Sequence, residues 1–219
     1  MSKFKAFLKK KDITVTWQRY GIEALGAMAQ GLFCSLLIGT IIKTLGTQLG
    51  VQFITDIGTY AMAVSGPAMA VAIGYALKSP PMVLFSLAAV GWAANAEGGA
   101  GGPLAVLIIA IAAAECGKAV SKETKVDLLV TPGVTILVGV ALAKLIAPPI
   151  GTAANALGLL IIEATNLRPF FMGILVSVIV GVALTLPISS AAICAALGLT
   201  GLAGGAAVAG CCAQMVGFA

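Results

Sequence analysis

From Ile22 to the last residue the chain is almost unbroken apolar text, with its charges gathered at the front end and in a few short interruptions. A hydrocarbon slab about 30 Å thick is crossed by about 20 apolar residues in a helix. Runs of that length occur at 22–45, 57–77 and 169–188. The pattern predicts an all-α polytopic membrane protein, a helical bundle forming a single membrane domain over residues 1–219. With 10% charged residues, 60% hydrophobic residues and a mean hydropathy of +1.08, no separate soluble domain fits.

Charge placement then limits partners and orientation. Five of the thirteen basic residues (Lys3, Lys5, Lys9, Lys10 and Lys11) precede the first span. No aromatic or basic stripe follows them, so the net charge of +5 points to anionic lipid and not to nucleic acid. The basic front runs into a segment containing Arg19 and Glu23, which excludes a cleaved signal peptide. Residues 1–20 are then a cytoplasmic segment, either a surface-lying interfacial helix or coil. Lysines 118, 122 and 125, with Arg168, fit the same cytoplasmic face, giving a multi-pass protein of the bacterial inner membrane. The five cysteines lie within or beside apolar runs and read as small hydrophobes. With no histidine in the chain and no CxxC-type partners for the Cys211-Cys212 pair, a zinc or haem site has very little to build on, and no cofactor is expected.

Two interrupted regions carry most of the polar chemistry. Between Lys78 and Lys118 the centre is Asn95-Ala96-Glu97-Gly98-Gly99-Ala100-Gly101-Gly102-Pro103. Its arms at 82–94 and 104–117 supply about two-thirds of a crossing each. A re-entrant glycine-rich hairpin is expected there, with Glu97 at a cavity that satisfies the turn's backbone. The second region begins at Leu186-Pro187-Ile188-Ser189-Ser190, where proline breaks a helix and a serine can cap the next, and runs on through glycine interruptions past Thr200 and Gln214. Paired broken segments point to a transporter binding site.

Between them, 128–146 reads as a span interrupted at Thr131-Pro132-Gly133 and ended by Ala147-Pro148-Pro149. In the following segment Thr152, Asn155, Glu163 and Asn166 share an arc of roughly 80° at helical periodicity. That stripe faces the bundle interior or marks an interfacial helix. Small residues at every fourth position (Ala27, Gly31, Ser35, Gly39; Gly66, Ala70, Gly74) suit close helix packing, as scaffold or in a homodimer. Arg19 and Glu23, four apart, are expected to pair within their helix, and Glu115 with Lys118.

Three strings resemble a known family: Gln18-Arg19-Tyr20-Gly21-Ile22-Glu23-Ala24-Leu25-Gly26-Ala27-Met28-Ala29-Gln30-Gly31-Leu32-Phe33; Arg168-Pro169-Phe170-Phe171-Met172-Gly173-Ile174-Leu175-Val176-Ser177; and Leu184-Thr185-Leu186-Pro187-Ile188-Ser189-Ser190-Ala191-Ala192-Ile193 leading to Gly210-Cys211-Cys212-Ala213-Gln214-Met215-Val216-Gly217-Phe218. Together they resemble the membrane IIC-type domain of the bacterial sugar phosphotransferase system, in the branch that includes the perfringolysin regulatory membrane protein. The resemblance implies a permease component that binds a carbohydrate at mid-membrane and presents it to a phosphorylated cytoplasmic partner subunit. A sensor on the same scaffold and an uncoupled carrier of a polar solute stand as alternatives. Members of that branch run on beyond the Cys-Cys-Ala-Gln-Met string, which implies that this chain is a fragment or a shortened relative. Phosphoryl relay needs a nucleophile of the histidine type, so the phosphoryl group would arrive on another polypeptide.

Carboxylates and amides that satisfy paired hydroxyls are the side chains a sugar site needs. The candidates are Asn95, Glu163, Asn166, Ser189, Ser190 and Gln214 for binding, with Glu97 as the group that accepts a sugar hydroxyl and acts as general base. Plainer roles compete: Glu97 as a turn cap, Glu163 as the partner of Arg168, the serines as helix caps.

Overall fold

The computed structural model describes residues 7, 10–165, 169–183 and 201–218, without side chains at 100, 157–165, 183, 201 and 218. Among the described residues the chain is helical throughout, joined by short turns. Helix α1 spans Gln18–Leu49, about 48 Å at 1.5 Å per residue, with π-helical turns at Gln18–Glu23 and Phe33–Leu37. It stops at Gly50, whose φ of 68° only a residue without Cβ adopts at little cost. The Val51 N–H then closes the end on the Gly46 carbonyl at 2.9 Å.

Helices α2 (Gln52–Ala63) and α3 (Ser65–Ala76) return along α1, α2 against its second half and α3 against its first. They meet at a 45° bend. Pro67 accounts for it: its ring would collide with the Ala63 carbonyl one turn back, so the helix breaks at Val64. The sequence suggested one uninterrupted span here. The break comes from a single proline inside otherwise apolar text.

Helices α4 (Pro81–Gly98) and α5 (Gly102–Val120) form the glycine-rich hairpin, linked by the 3-10 turn Gly99–Gly101. The short arms expected from hydropathy are corrected to 18 and 19 residues, about 27 Å each. Asn95, Ala96, Glu97 and Gly98 continue the helix instead of opening a loop, and α5 is long and apolar enough to cross a membrane.

Helix α6 runs from Asp127 to Thr165 without interruption, although Pro132, Pro148 and Pro149 lie inside it. The expected stop at 147–149 is therefore corrected. Both later prolines are exposed, while Ala147 and Gly151 beside them are buried against the hairpin turn, so tertiary packing holds the register across the missing backbone bonds. Helices α7 (Pro169–Ala183) and α8 (Gly201–Phe218) pack on each other, and α7 also on α6. The glycines of the last stretch lie within one 18-residue helix, where Gly210 lets α8 rest on the Ser177 backbone of α7.

The core lies between the first half of α1, α3, α4, α5 and α6, where Ile73, Leu77, Val83, Leu87, Val90, Val106 and Ile109 have no exposure. Phe33, Leu37, Ile41 and Leu45 of α1, Phe53 and Tyr60 of α2, and Phe85 and Trp92 of α4 are exposed, as on a surface solvated by lipid tails. The small-residue stripes work inside the molecule. A Cβ on Gly31 would lie 2.7 Å from the Ala68 carbonyl oxygen, one on Gly39 would lie 2.9 Å from that of Gly58, and Gly66 and Gly91 bring the α3 and α4 backbones into contact.

Candidate functional site

Antiparallel helices give the bundle two ends, and each gathers polar groups. At one end α4 finishes, the Gly99–Gly101 turn reverses the chain, and α6 passes alongside at Ile150 and Gly151. A Cβ on Gly151 would sit 2.8 Å from the Gly98 carbonyl oxygen, and one on Gly101 3.0 Å from that of Ile150. Glycine at these positions lets two backbones touch. Glu97, next to the turn, forms an ion pair of 2.8 Å with Lys144 of α6. Both are accessible, the glutamate side chain 38% exposed and the lysine 69%. Asn95, two residues earlier and so on the other side of α4, is partly buried, its Oδ1 against Gly102 at the start of α5 and its Cβ against Gly66 of α3.

The polar stripe starts just beyond this contact. Thr152 and Asn155 are exposed, and the Thr152 hydroxyl donates to the Pro149 carbonyl at 2.8 Å, turned back onto its own helix beside the prolines. Glu163 lies twelve residues past Gly151, about 18 Å farther along the same helix, so the two candidate glutamates belong to separate places. Gln214 is half-buried on α8. Asn166, Ser189 and Ser190, and with them the second interrupted region, lie outside the described residues.

Sequence reading missed Lys144, although a signal existed: it stands alone as a charge in the apolar run between Asp127 and Thr152. An ionisable group in such a position calls for a partner.

The opposite end is a denser cluster that sequence reading only partly foresaw. There α3 ends at Ala76, α4 begins, α5 ends and the segment before α1 crosses over. The Leu77 carbonyl accepts hydrogen bonds from Arg19 Nη2 at 2.8 Å and from Lys118 Nζ at 3.1 Å, two cations at a helix C-terminus. Lys118, 2% exposed at its side chain, also donates to the Asp12 carbonyl at 3.0 Å and pairs with Glu115 at 3.0 Å, as expected.

Arg19, by contrast, does not pair with Glu23. Its guanidinium turns to Asp12 at 2.7 Å and to the Thr14 hydroxyl at 2.7 Å, while Glu23 is exposed. The Asp12 carboxylate and the Leu77 carbonyl together offer the fork more acceptors than one glutamate on the same helix. The Arg19 hydrogen bond holds Asp12 below the usual carboxylate range, against a smaller opposing effect of burial. Lys11 reaches Glu123 at 2.6 Å and donates to the Ser121 carbonyl, depressing the Glu123 carboxyl as well. The N-terminal segment is thus strapped across this end of the bundle. Cys34, Cys116 and Cys212 are free thiols.

Among the described residues three helices, at Gln18–Leu49, Gly102–Val120 and Asp127–Ala156, are long and apolar enough to cross a bilayer, or four if the bent pair α2 and α3 counts as one. These features define an α-helical membrane protein with a glycine-tightened bundle. The family model described as "Phosphotransferase system, EIIC" matches residues 22–219, and the chain belongs to that family, a membrane permease component of a phosphotransferase system. No curated protein and no solved structure matches it.

Proposed function

We propose that the protein binds a carbohydrate within the membrane, beside the glycine-rich turn, and presents it to a phosphorylated cytoplasmic partner subunit. The observation carrying this reading is the ion pair of Glu97 and Lys144 next to that turn, in a chain whose family match runs from residue 22 to 219. A carboxylate and an ammonium 2.8 Å apart offer acceptor and donor to vicinal hydroxyls, while Asn95, two residues before Glu97, faces α3 and α5 from the other side of α4 and does not join them. Glu97 accepts the hydroxyl to be phosphorylated and, once displaced from Lys144, serves as its general base. In this reading the strapped end faces the cytoplasm, because most lysines gather there. The small-residue stripes are used in internal packing, so they give no support to a homodimer.

The test is equilibrium binding of a panel of sugars to the purified protein, with Glu97→Gln and Lys144→Met. Loss of a carboxylate accepting two hydroxyls weakens binding roughly tenfold or more. Unchanged affinity in both variants, for a sugar shown to bind the wild type, would remove this end of the bundle from the site. Uptake of that sugar into vesicles only with a phosphorylated partner subunit supports coupled transport. Saturable binding without uptake would make the protein a sensor.

A further inference from the structure

The strapped end encloses a cleft of about 210 Å³ that carbohydrate binding does not use. Its walls bring together Lys10, Lys11, Lys78, Lys118 and Lys122 against a single carboxylate, Glu123. These lysines come from four places in the chain: the N-terminal strap, the turn between α3 and α4, the end of α5 and the turn after it. Their convergence is a product of the fold and not of a basic run in sequence.

The lysines fall into two groups. Lys11 and Lys118 are almost fully buried, 9% and 2% exposed at the side chain, and committed to oxygens of the protein. They fix the walls and place positive charge behind them, where water screens it poorly. Lys10, Lys78 and Lys122 are exposed at the rim. Lys78 and Lys122 form no ion pair among the described residues, and Lys10 is 3.8 Å from Glu123.

The rim lysines are also held in place by their backbones. Lys78 has φ 56° and Lys122 φ 60°, in the left-handed region that a residue with a Cβ enters at a cost. At Lys78 the turn is locked by the Ser79 N–H on the Gly74 carbonyl at 2.9 Å, and at Lys122 by its own N–H on Asp127 at 2.7 Å. Glycine is the usual residue at such positions. Pro80 completes the wall and is the N-cap of α4, a helix start without a side-chain cap.

We propose that this cleft binds a phosphate monoester dianion, with Lys78 and Lys122 as its principal ligands and Lys10 closing over it. Either a soluble phosphomonoester or the headgroup of phosphatidic acid carries that chemistry, and the cleft's place at the end of the membrane helices admits both. The proposal does not rest on the carbohydrate reading, since it concerns the other end of the bundle.

The full chain in neutral detergent at about 0.15 M salt, where the Debye length is about 8 Å, is titrated with inorganic phosphate and with glycerol phosphate. Separately, it is reconstituted into vesicles containing phosphatidic acid or, at matched charge, phosphatidylglycerol. Saturable binding of the soluble ions identifies a soluble ligand, and preference for phosphatidic acid over phosphatidylglycerol identifies the lipid. In either arm Lys78→Gln/Lys122→Gln weakens binding about tenfold or more, as expected for losing two charge-assisted contacts. Lys125→Gln, on the same loop but outside the cleft, changes it by less than about twofold because an exposed distant charge is screened. The proposal is overturned if neither the ions nor phosphatidic acid bind preferentially, or if Lys125→Gln weakens binding as much as the double variant.

Discussion

A buried ammonium with three oxygens around it is a large local commitment, and Lys118 is that residue. It joins the Glu115 carboxylate to the Asp12 and Leu77 carbonyls, and both Glu115 oxygens are shielded from solvent. Lys118→Met leaves Glu115 as an uncompensated buried charge and is expected to destabilise the protein by about 3–5 kcal/mol. Adding Glu115→Leu should recover much of that loss, because removing both charges also removes the desolvation cost. Thermal unfolding in detergent checks both variants, and a Lys118→Met protein as stable as wild type would contradict the ion pair. Acid acts on the same end through Asp12. Its folded pKa lies below the unfolded value, so its contribution is present above the ordinary carboxylate value of about 3.9 and is lost as pH falls through the lowered one. Glu123 contributes in the same direction. Hydrogen exchange of residues 10–16, corrected for intrinsic rates, should rise as pH falls from about 5 toward 3, and Asp12→Asn should show the same opening at neutral pH.

At the scale of helices, glycine decides how near neighbours approach. A Cβ on Gly58 would meet the Lys43 amide nitrogen of α1 and lie 2.6 Å from the Gly39 carbonyl oxygen, with backbone on every near side and no flexible tip to yield. Gly58→Val should therefore separate α1 from α2 at a cost of about 1–3 kcal/mol. Gly26→Ala, where nothing lies within 4 Å, should be neutral or stabilising by up to about 1 kcal/mol. Equal melting shifts for the two would refute close packing at Gly58. The fourfold spacing of small residues made Gly31, Gly39 and Gly66 legible in the sequence as close-packing positions but not Gly58, which stands in no such stripe, while hydropathy made the helices legible. Breaks were harder to read, because a proline acts according to its surroundings. Pro67 stands where α2 must turn and bends the chain by 45°, whereas Pro148 and Pro149 are carried through by Ala147 and Gly151 packed against the hairpin. The Glu97 pair was half legible: the glutamate stands out in a glycine-rich interruption, but its partner lies 47 residues away in an apolar helix. Arg19 shows the same limit, since local spacing favours Glu23 while tertiary contact supplies Asp12 and the Leu77 carbonyl.

Over the whole molecule the two polar ends stand about 24 Å apart along α4, from Pro81 at the lysine cleft to Glu97 beside the turn. In the carbohydrate reading a sugar held at Glu97 is thus about 24 Å from a partner docked at the basic end, so Glu97 serves as base only once the site has moved to that face. If the carbohydrate reading holds, delivery requires the bundle to change which end is open, and the bend between α2 and α3 and the proline pair in α6 are the places where the helices are least tied by their own hydrogen bonds. Orientation decides which end captures and which delivers. On the proposed orientation, which the lysine bias supports, the strap lies in the cytoplasm and the turn after α1 and the Glu97 end should face outward. In a background without native cysteines, Gln48→Cys, exposed at the end of α1, should react with a membrane-impermeant maleimide on intact cells, and Lys125→Cys only after permeabilisation. The reverse labelling would put Glu97 on the cytoplasmic side beside the partner, and the ion pair with Lys144 would then mark the delivery end instead of the capture end.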